Sequence, residues 1–289
     1  MTTAVLPIDT QRTQDVSNTA HTQYLSVPGG MIAYDVAGAG PAIICVPSIG
    51  DVRAEYRFLR PYLIDAGFTV VTMDLRGHGE SSVGFDDYSS KAIGADIIAL
   101  ARHLERGPIT LIGTSKAGGS AVLAAAEAPE LIANLVLISP FVRSHGNDAM
   151  MRRMMKLLLA RPWGAALWTM YFPNFYPSRK PEDFDTYRTE LKANLQEPGR
   201  LSALRAMVDS SGDVSDELGK VNAPALVVMG TNDPDFNNPA EEANWIADEL
   251  GGTALTVAGA GHYPHAEMPE ETGPAIVRFL SSLSLRHAA

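Results

Sequence analysis

Cysteine is almost absent. Among 289 residues only Cys45 carries a thiol, and it sits inside an apolar run. One cysteine excludes an intramolecular disulfide and a thiolate metal site. It reads as a buried, inert thiol. That fits a reducing compartment, so a cytoplasmic location is expected. Positive charge is scarce as well: 23 Lys and Arg stand against 33 Asp and Glu, a formal net charge of −10. Phosphate binding needs clustered cations, so the composition argues against nucleic acid as a partner. The acidity serves solubility. Long apolar runs are missing too, and no stretch has the uninterrupted length of a membrane span. The opening segment, MTTAVLPIDTQRTQDVSNTAHTQ, lacks the basic start and apolar core of a secretory signal. Residues 1–20 are polar and are expected to be mobile. There are no repeats and no low-complexity tract. The seven histidines do not cluster at ligand spacing, so no metal is expected. No dinucleotide fingerprint follows the early strands, and no cofactor is expected.

What is present is a chain that is 46% hydrophobic, enough for a sizeable core. Short β-rich runs are bounded by turn residues. Tyr24 to Val27 and Met31 to Val36 flank PGG and read as a hairpin. Ala42 to Val46, Thr69 to Met73, Ile109 to Ile112, Leu135 to Ile138, Ala225 to Met229 and Ala254 to Val257 follow. Continuous apolar runs of this kind suit strands buried on both faces of a parallel sheet. Helical patterns lie between them, at Arg53 to Ala66, Lys91 to Glu105, Ser115 to Ala128, Pro239 to Leu250 and Pro269 to Ser282. The alternation predicts an α/β fold with a mostly parallel, doubly wound, eight-stranded sheet. The stretch from Val142 to Ser210 breaks it. It carries MMRRMMKLLLARPWGAALWTMYFPNFYPS, helical in pattern and rich in Met and aromatics. Insertions this long are usually functional. The expected organisation is a core of residues 21–141 and 211–289, with 142–210 as a helical cap over the C-terminal sheet edge, where open α/β sheets bind ligands.

The segment LIGTSKAGGS places Ser115 between a strand and a small-residue helix. A nucleophile elbow looks like this, with small residues two before and two after the serine. Gly113 and Ala117 satisfy that need, although Ala117 departs from G-x-S-x-G. A serine hydroxyl also needs a base and an orienting acid. In this architecture the chain order is Ser, then Asp or Glu, then His. Asp233 follows the strand ending at Met229, with Asp235 close behind. His262 follows the strand ending near Val257, with His265 close behind.

With these residues in place the chain resembles the α/β-hydrolase superfamily of serine hydrolases, from about Tyr24 to Leu283. MDLRGHGESS is similar to the family's loop after its fourth strand. MGTNDP resembles the loop of its acid, and GHYPHAEMPEE the loop of its histidine. The resemblance makes Ser115 the nucleophile, His262 the general base and Asp233 the orienting acid. It leaves His265 and His78 structural and Asp235 a turn or capping residue. Serine at the elbow speaks against dehalogenase chemistry, which uses Asp there.

A tetrahedral oxyanion needs two N–H donors. One expected donor is the backbone of Lys116, at a helix start whose dipole helps. The other is the Ile49 amide. In the family that loop commonly reads His-Gly-x, whereas here it reads Pro47-Ser48-Ile49. Ser48 either holds the loop or touches substrate, and it is counted among the candidate substrate-binding residues. The Lys116 side chain either reaches solvent or faces the pocket. In the cap, Trp163, Trp168, Tyr171, Phe172, Phe175 and Tyr176 are candidates for an apolar substrate pocket. Met150, Met151, Met154 and Met155 offer an adaptable surface and a candidate homodimer contact. The reading that results is a cofactor-free serine hydrolase for a small or medium apolar carboxylic ester or lactone. C–C bond hydrolysis, peracid formation and cofactor-free oxygenation use the same triad and stand as alternatives. A non-catalytic binding protein on this scaffold is the third reading.

Overall fold

The computed structural model describes residues 21–144, 148–210 and 212–287. The N-terminal segment expected to be mobile lies outside these. Eight strands form one sheet: β1 (Gln23–Val27), β2 (Gly30–Gly38), β3 (Ala42–Val46), β4 (Thr69–Met73), β5 (Ile109–Thr114), β6 (Ile132–Ile138), β7 (Ala225–Gly230) and β8 (Thr253–Val257). Their spatial order is β1-β2-β4-β3-β5-β6-β7-β8. β2 runs antiparallel to both neighbours, and every other pair is parallel. The central strands β3, β4, β5 and β7 are buried along their whole length. Their Val, Ile and Leu side chains pack against helices on both faces, which is why these strands read as unbroken apolar runs.

The helices are α1 (Arg60–Asp65), α2 (Ser90–Leu104), α3 (Lys116–Glu127), α4 (Asp148–Leu158), α5 (Gly164–Tyr171), α6 (Phe184–Gln196), α7 (Arg200–Asp209), α8 (Pro239–Glu249), α9 (Pro264–Glu267) and α10 (Pro269–His287). Side chains of α2, α3 and α8 join one core layer, and those of α1 and α10 join the other. Local chemistry sets several ends. The Ser89 hydroxyl caps α2 by accepting from Ala92 N, and Glu105 closes that helix in the left-handed region. The Asn238 side chain caps α8, with Pro239 in its first turn. One expectation is corrected: Arg53 to Ala66 is not a single helix. Arg53–Arg57 forms a 3₁₀ turn and α1 starts at Arg60. Pro61 has no N–H to donate back to that turn, so the ladder cannot run through it.

Between β6 and β7 the chain folds into α4 to α7, with a 3₁₀ turn at Phe172–Phe175. This helical insertion has its own core of Leu159, Trp168, Phe172, Phe175, Tyr187, Leu195 and Leu204, which also takes in Tyr263 from the main body. Arg57 grips Asp183 of the insertion through two hydrogen bonds of 2.6 and 2.7 Å. Met150 and Met154 are exposed, Met155 packs on the insertion core, and the Met151 side chain lies outside the described residues.

Candidate active site

Strand register brings the relevant loops together. Val46 at the end of β3 pairs with Gly113 in β5, so the Pro47 and Ser115 loops leave the sheet side by side. Gly230 pairs with Val257, so the Asp233 and His262 loops do the same.

Ser115 is the single residue between β5 and α3, held at φ 58° and ψ −128°. A non-glycine residue there costs about 1–3 kcal/mol and must be held by its surroundings. Three hydrogen bonds do so: Ser115 N donates to Ile138 O (2.8 Å), and Ser115 O accepts from Gly118 N (2.9 Å) and Phe141 N (3.0 Å). A side chain on Gly113 would lie 2.8 Å from Ala117 O, so glycine is required there. Ala117 is fully buried, and the turn accommodates its methyl group.

His262 is buried, and its backbone N–H is held by Phe175 O at 3.0 Å. Its Nδ1 lies 2.9 Å from Asp233 Oδ2 and 3.1 Å from Oδ1. A carboxylate only accepts, so Nδ1 carries the proton and Nε2 of the neutral ring has a lone pair. Asp235 is the more distant acid, with Oδ2 at 3.7 Å from Nδ1. Burial pulls the His262 pKa down, but the Asp233 charge and hydrogen bond outweigh it and Asp235 adds to them, so the net shift is upward. Burial pushes the Asp235 carboxyl up. Asp233, Asp235 and His262 also bring three metal-ligand-type atoms within 4.8 Å of one another. The Nδ1 contact to Asp233 has hydrogen-bond length, which suits proton transfer at the opposite ring nitrogen. The ring itself lies among aromatics, 5.0 Å from the Phe175 ring and 6.0 Å from that of Phe141. Phe141 therefore touches both ends of the constellation, through its backbone at Ser115 and its ring at His262.

The Ile49 loop is pinned on both sides. Ser48 N and Oγ both donate to Glu55 Oε2 at 2.7 Å. Gly50 N donates to His78 Nε2 at 3.0 Å, and Gly50 O accepts from Trp168 Nε1 at 2.9 Å. Burial holds the His78 pKa down at about 4, so the ring stays neutral and can accept. Gly50 adopts φ +72°, and a side chain there would strike the Trp168 ring at 2.5 Å. Ile49 N–H has no hydrogen-bond partner among the described residues.

A family model described as "Alpha/beta hydrolase family" matches residues 43–275. The chain belongs to the alpha/beta hydrolase family. The pyrrolizixenacetamide deacetylase of Xenorhabdus hominickii is 25% identical over 253 residues, covering 86% of this chain and 93% of that one. The 3-oxoadipate enol-lactonase 2 of Acinetobacter baylyi is 26% identical over 239 residues, covering 82% and 87%. Among solved structures, a thermophilic esterase from Thermogutta terrifontis superposes with a TM-score of 0.78 at 24% identity, covering 91% of this chain and 99% of that one.

In this alpha/beta hydrolase the other expected site residues go to varied places. The Ser48 hydroxyl, a candidate for touching substrate, is buried and engaged by Glu55 and Tyr263. Trp168 reaches the Ile49 loop through Gly50. Tyr171 is partly exposed, with its hydroxyl 3.5 Å from Asp235. Phe172 is fully buried among Phe175, Tyr176, Phe184 and Tyr187, so it packs the insertion. Trp163 is half exposed and donates to Leu157 O within the insertion. Lys116 takes neither expected course. Its side chain is buried, and Nζ donates to Met207 O (2.6 Å) and Ser210 O (2.7 Å) at the end of α7. His265 is buried against Tyr56, with ring centroids 5.1 Å apart. Phe141, whose ring lies 6.0 Å from that of His262, and Phe236, stacked on it at 5.0 Å, were missed by sequence reasoning. The only available signal was Phe141's place just past a strand end. No helix of the described residues is long and apolar enough to cross a membrane.

Proposed function

We propose that this alpha/beta hydrolase is a serine hydrolase that cleaves a small or medium apolar carboxylic ester or lactone through an acyl-enzyme on Ser115. The observation that carries the reading is the Asp233–His262 hydrogen bond at 2.9 Å, which fixes the tautomer with Nε2 as proton acceptor. Ser115 Oγ attacks the acyl carbon while its proton passes to His262 Nε2. The carbonyl oxygen becomes an oxyanion, received by the Ile49 and Lys116 amides, the latter at the start of α3. Collapse expels the alcohol, which takes the proton from His262. Water then gives a proton to Nε2 and attacks the acyl-enzyme, and collapse releases the acid as Ser115 Oγ takes that proton back from His262.

The Phe141 and Phe175 rings around His262, with Phe236 stacked on Phe141, support an apolar acyl group. Residues 142–210 act as a cap that shapes the pocket, contributing Phe175 beside His262, Trp168 at Gly50 and Tyr171 at Asp235. The names of the relatives, a deacetylase and an enol-lactonase, accord with acyl transfer to water. The test is intact mass after exposure to a reactive organophosphonate. One adduct on the wild type and none on Ser115→Ala is the expected result. An unlabelled wild type would sink the acyl-enzyme.

A further inference from the structure

Glu55 lies on the 3₁₀ turn Arg53–Arg57, outside every motif that marks the site, yet its side chain is wholly buried. Desolvating a carboxylate is costly, and such a group persists only where partners hold it. Its partners belong to the loops that carry the chemistry. Oε2 accepts from both Ser48 N and Ser48 Oγ at 2.7 Å. The Ser48 hydroxyl also lies 2.6 Å from Tyr263 OH. A hydroxyl has one proton, and that of Ser48 goes to Glu55, so Tyr263 donates to Ser48. A directed chain therefore runs Tyr263 to Ser48 to Glu55. Tyr263 is the residue after His262. On the other carboxylate oxygen, Oε1 faces His265 Nε2 at 3.3 Å, off the line of a hydrogen bond. The neighbouring Tyr56 completes the pattern. Its hydroxyl donates to Val46 O (2.7 Å) and lies 2.7 Å from Thr114 Oγ1, the residue before Ser115. Two adjacent residues of one turn thus hold the loops of Ile49, Ser115 and His262 in a common register.

We propose that Glu55 is a positioning residue for the oxyanion hole: its buried carboxylate clamps Ser48 so that the Ile49 amide points at the developing oxyanion. The inference rests on the serine-hydrolase reading of Ser115. Ser48 is held at two atoms, N and Oγ, by one carboxylate oxygen. That fixes the Pro47–Ser48 peptide and the Ser48 side chain, and Ser48 O, in the peptide that carries the Ile49 N–H, accepts from Asp51 N at 3.3 Å. A donor displaced from the oxyanion loses much of its effect on the transition state while leaving ground-state binding nearly intact.

The experiment compares the full-length wild type, Glu55→Gln and Ser48→Ala. The readouts are affinity for an aryl trifluoromethyl ketone, which forms an oxyanionic hemiketal on serine, and kcat and KM for p-nitrophenyl butyrate. Glu55→Gln is expected to weaken ketone binding and lower kcat by about tenfold or more. KM should stay within about threefold, since uniform binding is untouched. Ser48→Ala keeps the Ser48 N–H bond to Glu55 and should give a smaller loss of the same kind. It decides the matter alone if Glu55→Gln does not fold. Ketone affinity and kcat within twofold of wild type in the folded variants would overturn the proposal, whatever happens to Tm. A wild type that forms no hemiketal overturns the serine-hydrolase reading and this inference with it. A wild type that does, beside unaffected variants, overturns this inference alone.

Discussion

Lys116 binds the helical insertion from inside the main body, its Nζ 2.6 Å from the carbonyl oxygen of Met207. The second bond, to Ser210 O at 2.7 Å, places the cation at the C-terminal end of α7, where the helix dipole favours it. The residue whose backbone is assigned to the oxyanion also secures the insertion with its side chain. Lys116→Met leaves the backbone amide in place and removes a donor from two carbonyls, although Met207 O still accepts from Ser210 Oγ at 2.8 Å. It should destabilise the protein by about 2–4 kcal/mol and hasten proteolytic cleavage between α7 and β7. Thermal unfolding and limited proteolysis check both.

Asp233 and Asp235 face the same imidazole from different distances, and they should separate kinetically. Asp233→Asn removes the acceptor that fixes the tautomer, and kcat should fall by about 10⁴. Steady-state kinetics with an activated ester would show it.

Asp235→Asn should leave most of kcat but change its pH dependence. His262 accepts a proton only when neutral, so activity rises with pH through its pKa. The carboxylates hold that pKa above the usual histidine range. Removing the Asp235 charge lowers it, and the acid limb of kcat/KM moves to lower pH. The shift is smaller than the whole Asp233 contribution, because Asp235 stands at 3.7 Å rather than 2.9 Å. A profile that does not move, or moves to higher pH, refutes the assignment.

The elbow predicts an asymmetry between two small residues. Gly113→Ala drives a methyl group to 2.8 Å from Ala117 O. It should cost about 1–3 kcal/mol and slow phosphonylation of Ser115. Ala117→Gly restores the commoner motif and relieves no clash, since the alanine already fits. It should cost about 1 kcal/mol in helix propensity, with labelling unchanged. Chemical denaturation and adduct formation over time measure both.

Trp168→Phe keeps an aromatic ring, smaller than the indole, and deletes the N–H that Gly50 O accepts. The Ile49 loop then loses one of its anchors, and kcat should fall by about tenfold with little change in KM. A rise in KM at constant kcat would instead make Trp168 a substrate contact.

The sheet was legible because each central strand is buried on both faces and so reads as an apolar run between turns. Asp233 and His262 were legible because their loops follow adjacent strand ends in chain order. Glu55 was not. A glutamate in RAEYR reads as a solvated charge, and its partners Ser48 and His265 are set by tertiary packing. The Ser48–Tyr263 bond spans 215 positions, and nothing local in either loop announces it. Lys116 was misread for the same reason: its acceptors lie 91 and 94 residues downstream, on a helix whose placement the motif does not encode.

Gly50 gives its N–H to a ring from the main body and its carbonyl to an indole from the insertion. That single residue makes the insertion a structural part of the proposed catalytic apparatus as well as a cover. Grafting the equivalent helices from another hydrolase would withdraw a donor from the Ile49 loop while reshaping the pocket. Selectivity and turnover would then change together, and a productive exchange would have to carry an N–H donor in the place of Trp168.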